Sequence, residues 1–426
     1  MDKNALATVV ARIDGYRDNV IELQRELCRR PALDPTSGGI GEIEKAAWLE
    51  SYLRGLGLSV SRYDAPDARV PSGKRPNLVA YYPSNPSSGP RLWIIAHTDV
   101  VPPGDPALWS GDPWTLRVDG DKLIGRGVED NQGGLSAAVM AVRSFIEAGV
   151  TPAIPFALAF VADEETGSVY GLRYLIEKHK SLFRKDDLII IPDSGDPHGT
   201  EIEIAEKGIL WIRFRTLGKQ THGSVPATGI NAHKASAYMI TRMESLYTKF
   251  KKRDPLFHPS NSTFEPTKKE NNVPNINTIP GEDVIYFDCR ILPAYKLNDV
   301  IKAMTAVVKE TERKFKVKIE MTFAQKESPA PPTPADSPVA VAITRAVKEQ
   351  RKKTPKAIGI GGGTVAKYLR EAGFPCAVWA TLDERAHRPD EHVRVSHILA
   401  DAKSFAHIAL AFGDAPRTQP KKKTKK

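Results

Sequence analysis

Cysteine is scarce in this chain. Cys28, Cys289 and Cys376 are spread over 426 residues and none belongs to a CxxC pair, which excludes a disulfide framework and a cysteine-ligated zinc module. No apolar run approaches the roughly 18 residues that a membrane-spanning helix requires. The opening MDKNALATVV is polar, carries Asp2 and lacks the apolar core of a signal peptide. With so few cysteines, the expected location is a reducing cytoplasm, with no membrane partner. A nicotinamide-binding oxidoreductase is not supported, because the glycine run IGIGGGT (358–364) lacks the fingerprint spacing and an early βαβ unit. Basic-aromatic recognition patterns are missing too. Five of the ten excess positive charges sit in the terminal PKKKTKK, read as a solvated tail, and a nucleic-acid partner is not expected.

What is present has ordinary globular composition: 41% hydrophobic and 26% charged residues, which excludes bulk disorder. The length suggests two or three domains. Apolar positions spaced by three and four predict a helix over 3–30, and a second over 42–56 stops at Gly57. The segments LVAYY, LWIIA, IPFALAF and LIII show no clean polar alternation, the pattern of strands buried on both faces in an α/β sheet flanked by helices. Beyond residue 206 the rhythm changes. A strand at 209–217, a helix at 230–250, strands near 275–279 and 284–290, a helix near 297–313 and a strand at 317–323 give the order β-α-β-β-α-β of a compact inserted domain. The proline-rich SPAPPTPADSP (328–338) is a joint, after which helix, glycine turn, strand and helix return. The expected boundaries are 1–205 and 326–415 for one α/β domain, 206–325 for the insertion and 416–426 for the tail.

Chemistry-bearing residues cluster behind the buried strands. His97 and Asp99 of IIAHTDV are two apart, so they project together where an α/β sheet binds ligands. A carboxylate behind a histidine is a common support for a metal ligand, and equally a structural pairing. Asp130 in GRGVEDNQGG precedes an alanine-rich helix, where it could cap that helix or bridge two cations. The adjacent Glu164 and Glu165 of FVADEETGS are costly after a buried strand unless something positive is near, though acidic pairs in loops are often simply solvated. Asp193 follows LIIIP, and His387 lies in RAHRPDE after CAVWA. Two imidazoles and three carboxylates form a donor set that zinc, cobalt or manganese accepts. One shared carboxylate would make a two-metal hydrolytic site and leave the remaining glutamate free as a base.

In this order of motifs, roughly residues 5–412 resemble the di-zinc aminoacylase and carboxypeptidase G family. That family includes succinyl-diaminopimelate desuccinylase, acetylornithine deacetylase and several dipeptidases. The resemblance implies a zinc-peptidase-like α/β/α catalytic domain, interrupted by a smaller ferredoxin-like α+β lid that dimerises. It implies two divalent ions per subunit, with zinc expected first and cobalt or manganese accepted. His97 and Asp193 match ligands of one ion, His387 and Glu165 ligands of the other, and Asp130 the bridge. Asp99 matches the acid that orients His97, and Glu164 the general base. His222 of GKQTHGSVPATGINAH matches a lid histidine that reaches a site across a homodimer interface and polarises the scissile carbonyl. Asn275 and Arg290 match residues that hold a substrate carboxylate, and Gly362, Gly363 and Thr364 a substrate-facing loop.

The implied reaction is hydrolysis of an amide bond beside a free carboxylate, in a dipeptide or an N-acyl amino acid. Two departures bear on the subfamily. Gln132 stands where the family commonly has lysine, and Asp193 where its deacylase branches usually have glutamate. Aspartate at that position goes with dipeptidase-like members rather than strict desuccinylases. The rival of another class is a non-catalytic metal-bound scaffold that uses the lysine tail to hold nucleic acid.

Overall fold

The computed structural model describes residues 2–86 and 88–412, so the expected tail 416–426 lies outside the described residues. The chain forms two compact units. Of the described residues, the first is built from those up to Ile204, from Thr333–Ala357 and from those from Tyr368 to Phe412; the second comprises Ala205–Pro332 and Ile358–Lys367.

The first unit is organised on an eight-stranded sheet. Its order is Ser59–Pro66, Lys74–Tyr82, Phe156–Val161, Leu92–His97, Leu188–Asp196, Cys376–Thr381, Glu201–Glu206 and Lys356–Ile360, the last two strands continuing past the ends of the first unit's segments at Ile204 and Ala357. The four strands from Phe156–Val161 to Cys376–Thr381 run parallel to one another. Every residue of Leu92–His97, Phe156–Val161 and Cys376–Thr381 is buried. Both faces are therefore covered, which is why these segments read as unbroken apolar runs. The helix Gln132–Ala148 packs on this sheet and against Lys3–Asp14, Arg17–Cys28 and Val395–Ala411. Small residues let it approach closely: a Cβ on Gly134 would meet the carbonyl oxygen of Pro192 at 2.7 Å. That contact draws the start of the helix against the strand bearing Asp193. The helix predicted over 3–30 is two helices, Lys3–Asp14 and Arg17–Cys28, separated at Gly15 and Tyr16.

The second unit contains an antiparallel four-stranded sheet in the order Thr263–Lys269, Glu282–Ile291, Gly208–Leu217 and Lys318–Glu327. Helices Ala232–Met243 and Leu297–Phe315 complete the ferredoxin-like alternation. Its second strand is Thr263–Lys269, whereas one was predicted near 275–279. Only Phe264 of that strand is buried, and Pro266 lies within it. Such an edge strand has no hydrophobic alternation to betray it. From the predicted strand only Thr278–Ile279 pairs, with Thr221–His222. The helix predicted over 230–250 is divided into Ala232–Met243 and Ser245–Lys249. Residues 358–367, assigned from sequence to the domain ending at 415, group with the second unit. There the Thr364 amide and hydroxyl donate to Glu206 at 3.0 and 2.6 Å, and the Gly359 amide donates to the Leu256 carbonyl at 2.7 Å.

A buried ionic knot in the first unit braces the loop after Phe156–Val161. Arg75 is fully buried, and a guanidinium there must be surrounded by acceptors. Its Nε donates to Glu42 Oε2 at 2.6 Å and its Nη1 to Asp34 Oδ2 at 3.0 Å, with Asp67 at 3.5 Å and Asp163 at 3.8 Å. Glu42 in turn accepts the Asp163 amide at 3.2 Å, one residue before Glu164. Burial works against ionisation of Asp34, yet the hydroxyl and amide of Thr36 and the Arg75 guanidinium pull its carboxyl down to about 2. A carboxyl held below its unfolded value stabilises the fold above pH ~4 and loses that contribution as pH falls toward 2. Asp34→Asn should therefore flatten the acid dependence. The fall in unfolding free energy between pH 5 and 2.5, measured by urea titration, should shrink by about 1–2 kcal/mol. Equal falls in both proteins would contradict this role.

Candidate metal centre

The carboxyl ends of four neighbouring parallel strands deliver the candidate residues, the position at which open α/β sheets bind ligands. His97 ends its strand, Glu164 and Glu165 follow Phe156–Val161, Asp193 lies near the end of Leu188–Asp196, and His387 lies in the loop after Cys376–Thr381. Asp130 comes from the turn before Gln132–Ala148. The helix-capping alternative for Asp130 does not hold: Asn131 is the cap residue and no side chain caps the helix.

Instead the two oxygens of Asp130 diverge. Oδ1 lies 2.8 Å from His97 Nε2, and Oδ2 lies 3.1 Å from His387 Nε2. His97 Nε2 is also 3.5 Å from Asp193 Oδ1, and His387 Nε2 is 3.2 Å from Glu165 Oε2. Donor atoms around one tetrahedral zinc stand roughly 3.3 Å apart, given bonds of about 2.0–2.1 Å. Two triads, His97–Asp130–Glu165 and His97–Glu164–Asp193, keep their donor atoms within 4.8 Å of one another. The two imidazoles differ in exposure, with side-chain values of 2% for His97 and 55% for His387.

Charge balance tests the fit independently. Five carboxylates (Asp99, Asp130, Glu164, Glu165 and Asp193) face two imidazoles, an excess of negative charge that a buried site sustains only beside cations. Burial and the neighbouring Asp193 push Glu164 well above the usual carboxyl range. Burial and Asp130 push Glu165 up to about 7. Burial disfavours a charged His97, but Asp130, Asp193 and Asp99 outweigh it and hold that imidazole well above its ordinary value. Asp130 and Glu165 raise His387 to about 10. The residues present fit divalent metal.

Asp99 does more than face His97. Its carboxylate is 3.5 Å from His97 Nδ1, whose closer partner is the Asp99 carbonyl at 3.0 Å. The same carboxylate accepts the amides of Glu164 and Glu165, each at 3.0 Å. It ties the two-glutamate loop to the histidine strand. Sequence reasoning missed Asn131, whose Nδ2 donates to Asp193 Oδ1 at 2.7 Å and to the Pro192 carbonyl at 2.6 Å. It also missed Glu129 and Glu391, buried acids beside Asp130 and near His387. Their only signal was adjacency to the motifs.

The remaining candidates lie in the second unit. His222 is exposed in Thr221–His222, its Nδ1 2.7 Å from the Ser224 hydroxyl. Asn275 is exposed and donates to the Thr278 hydroxyl at 2.8 Å. Arg290 donates Nε and Nη2 to Asp288 at 2.7 and 2.9 Å and Nη1 to the Gly361 carbonyl at 2.9 Å. One edge of its fork is thus engaged by a side chain of its own strand. In the glycine loop Gly362 is partly buried and Gly363 exposed, while the Thr364 amide already serves Glu206.

Comparison with known proteins decides the family. The sequence profile of peptidase family M20/M25/M40 matches residues 93–411. The chain belongs to peptidase family M20/M25/M40. An uncharacterized metallohydrolase of Methanococcus maripaludis is 39% identical over 412 residues, covering 92% of this chain and 98% of that protein. A succinyl-diaminopimelate desuccinylase of Rhodospirillum centenum is 26% identical over 402 residues, covering 93% and 99%. Among solved structures, human carnosine dipeptidase 1 aligns with a TM-score of 0.73 at 20% identity, over 95% of this chain and 98% of that one; this likeness shows the fold. The protein is thus an M20/M25/M40 metallohydrolase acting on peptide or amide bonds, of a family that binds divalent metal. No helix among the described residues is long and apolar enough to cross a membrane.

Proton linkage gives a direct test. The metal-free imidazoles hold protons near neutrality, because neighbouring carboxylates raise their pKa values. A divalent ion held by those imidazole nitrogens would displace the protons, and its affinity would rise with pH from 6 to 8. Calorimetric titration of metal-free protein at pH 7 in two buffers of different ionisation enthalpy should show protons released as metal is taken up. A heat that does not depend on the buffer would contradict protonated imidazoles at this site.

Proposed function

We propose that this M20/M25/M40 metallohydrolase cleaves an amide bond next to a free carboxylate, in a dipeptide or an N-acyl amino acid. It would use two divalent ions, zinc first among them and cobalt or manganese as substitutes. One observation carries the proposal: each oxygen of Asp130 faces a different imidazole, with Glu164 beside them at the His97–Asp193 side. His97 and Asp193 would hold one ion, His387 and Glu165 the other, and Asp130 both. Bound ions supply a water of lowered pKa and a polarised carbonyl.

The chain's own groups do the rest. Glu164 accepts the proton of the attacking water and returns it to the leaving amine, as a base that becomes an acid. Its raised pKa in a buried, acid-rich setting suits that exchange. Asp99 holds the Glu164 amide and so fixes the base's backbone, and Asn131 orients Asp193. His222, supplied by a second copy in a homodimer, would donate to the carbonyl oxygen. Arg290 and Asn275 would receive the substrate carboxylate beside Gly362, Gly363 and Thr364. The enzyme would work in the cytoplasm on small molecules.

Within that frame a dipeptide is favoured over a succinylated diamino acid, since Asp193 stands where deacylase branches carry glutamate. The desuccinylase relative at 26% identity keeps N-acyl amino acids as the alternative. A panel of dipeptides and N-acyl amino acids, assayed with zinc and with cobalt, separates the two. Hydrolysis of the dipeptides alone supports the first, and hydrolysis of the N-acyl compounds alone supports the second. Glu164→Gln should bind metal as before and lose turnover by about 10²–10⁴-fold. Near-normal turnover in that variant would remove Glu164 from the role of base.

A further inference from the structure

Two buried glutamates that lie beside the candidate ligands, and outside the reaction, exchange their hydrogen bonds crosswise. Glu391, four residues after His387, is fully buried and turned toward the glycine turn that carries Asp130. Its Oε1 accepts the amides of Glu129 and Asp130 at 2.9 and 3.1 Å, and its Oε2 accepts the Gly127 amide at 3.0 Å. The Arg126 guanidinium, itself buried, donates to the same oxygen at 2.6 Å and supplies the countercharge. Glu129, one residue before Asp130 and 1% exposed, faces the opposite way. Its Oε1 accepts the Asp383 amide at 2.7 Å, and its Oε2 accepts the Arg385 amide. Asp383 and Arg385 belong to the loop that presents His387.

Each loop therefore offers one candidate ligand and one carboxylate, and each carboxylate binds the backbone of the other loop. A short antiparallel pairing of Lys122–Ile124 with His392–Arg394 closes the frame beyond them. Asp390 ties the His387 segment to a different loop, accepting the Ser110 amide at 3.1 Å. His387 has a φ of 63°, a left-handed conformation that a side-chain-bearing residue adopts only when its surroundings impose it. Backbone held this firmly, at an exposed histidine, needs anchors, and the two glutamates are the buried ones.

We propose that Glu129 and Glu391 are positioning residues that form a reciprocal strap, setting the separation of Asp130 and His387 and thereby the affinity of the ion held between them. This rests on the two-ion reading of the site. The strap is directional: Glu129 governs His387, which serves one ion, while Glu391 governs Asp130, which serves both. In Glu129→Gln one acceptor oxygen becomes an amide donor facing a backbone N–H, so one of the Asp383 and Arg385 amides loses its partner. Removing the outer partner of a metal ligand typically lowers affinity about 10–100-fold.

The test is titration of metal-free protein with zinc against a chromophoric chelator, with the melting temperature of each metal-free variant measured alongside. Wild type should take up two ions. Glu129→Gln should weaken one of them by about 10–100-fold and leave the other within about twofold. Glu129→Asp, which restores the carboxylate, should recover part of that loss, and Glu391→Gln should weaken both. Two ions bound to Glu129→Gln as tightly as to wild type would overturn the strap, whether or not the melting temperature falls. Equal weakening of both ions in Glu129→Gln would overturn its direction. If Glu391→Gln does not fold, the two Glu129 variants decide alone. Wild type binding fewer than two ions would instead overturn the two-ion reading itself, a result distinct from failure of the strap.

Discussion

The first unit is organised around one carboxylate pulled two ways. Asp130 reaches His97 with one oxygen and His387 with the other, so loops from distant parts of the chain must meet within a few tenths of an ångström. A buried aspartate between two imidazoles is worth its desolvation only where positive charge gathers. The surrounding acids make that demand stronger, since Glu164, Glu165 and Asp193 are all pushed upward by burial and by nearby carboxylates, Asp130 among them in each case. The fold answers with amide donors, from backbone and from one side chain, which carry no net charge. Amides of Glu164 and Glu165 serve Asp99, and the Asn131 side chain serves Asp193.

Rigidity at the carboxyl end of the sheet comes from behind it. Four parallel strands, buried on both faces, place the starting points of the loops, and the glycine-rich first turn of Gln132–Ala148 brings a helix tight against Pro192. Further back, Arg75 gathers Glu42, Asp34, Asp67 and Asp163 and so fixes the residue that precedes Glu164. Charge is thus layered: a knot of acids about a permanent cation stands behind a second knot of acids about two imidazoles.

Much of this could be read from the residues. Buried parallel strands announce themselves as apolar runs without alternation, and LWIIA, FALAF and LIII did so. The polar residues at their ends were conspicuous for the same reason. The edge strand Thr263–Lys269 gave no such signal, because one buried side chain cannot set a period. Residues 358–367 looked continuous with the helix and strand after them, and only the Thr364–Glu206 bonds reveal where they belong. Glu129, Glu391, Asn131 and Arg75 were also unreadable. Each is polar in a polar stretch, and nothing local distinguishes a solvated glutamate from one enclosed by amides contributed more than two hundred residues away.

The path of the chain has a consequence for how the molecule is made. Cys376–Thr381 inserts into the middle of the large sheet, with Ala377 opposite Ile190, and everything in the second unit is synthesised between those partners. Until Cys376–Thr381 leaves the ribosome, Leu188–Asp196 presents an open apolar edge. Pairings of such long sequence separation close slowly, and exposed strand edges invite association. The nascent protein therefore passes through a stage in which its most hydrophobic layer is complete except for one strand, the stage at which chaperone capture would matter most.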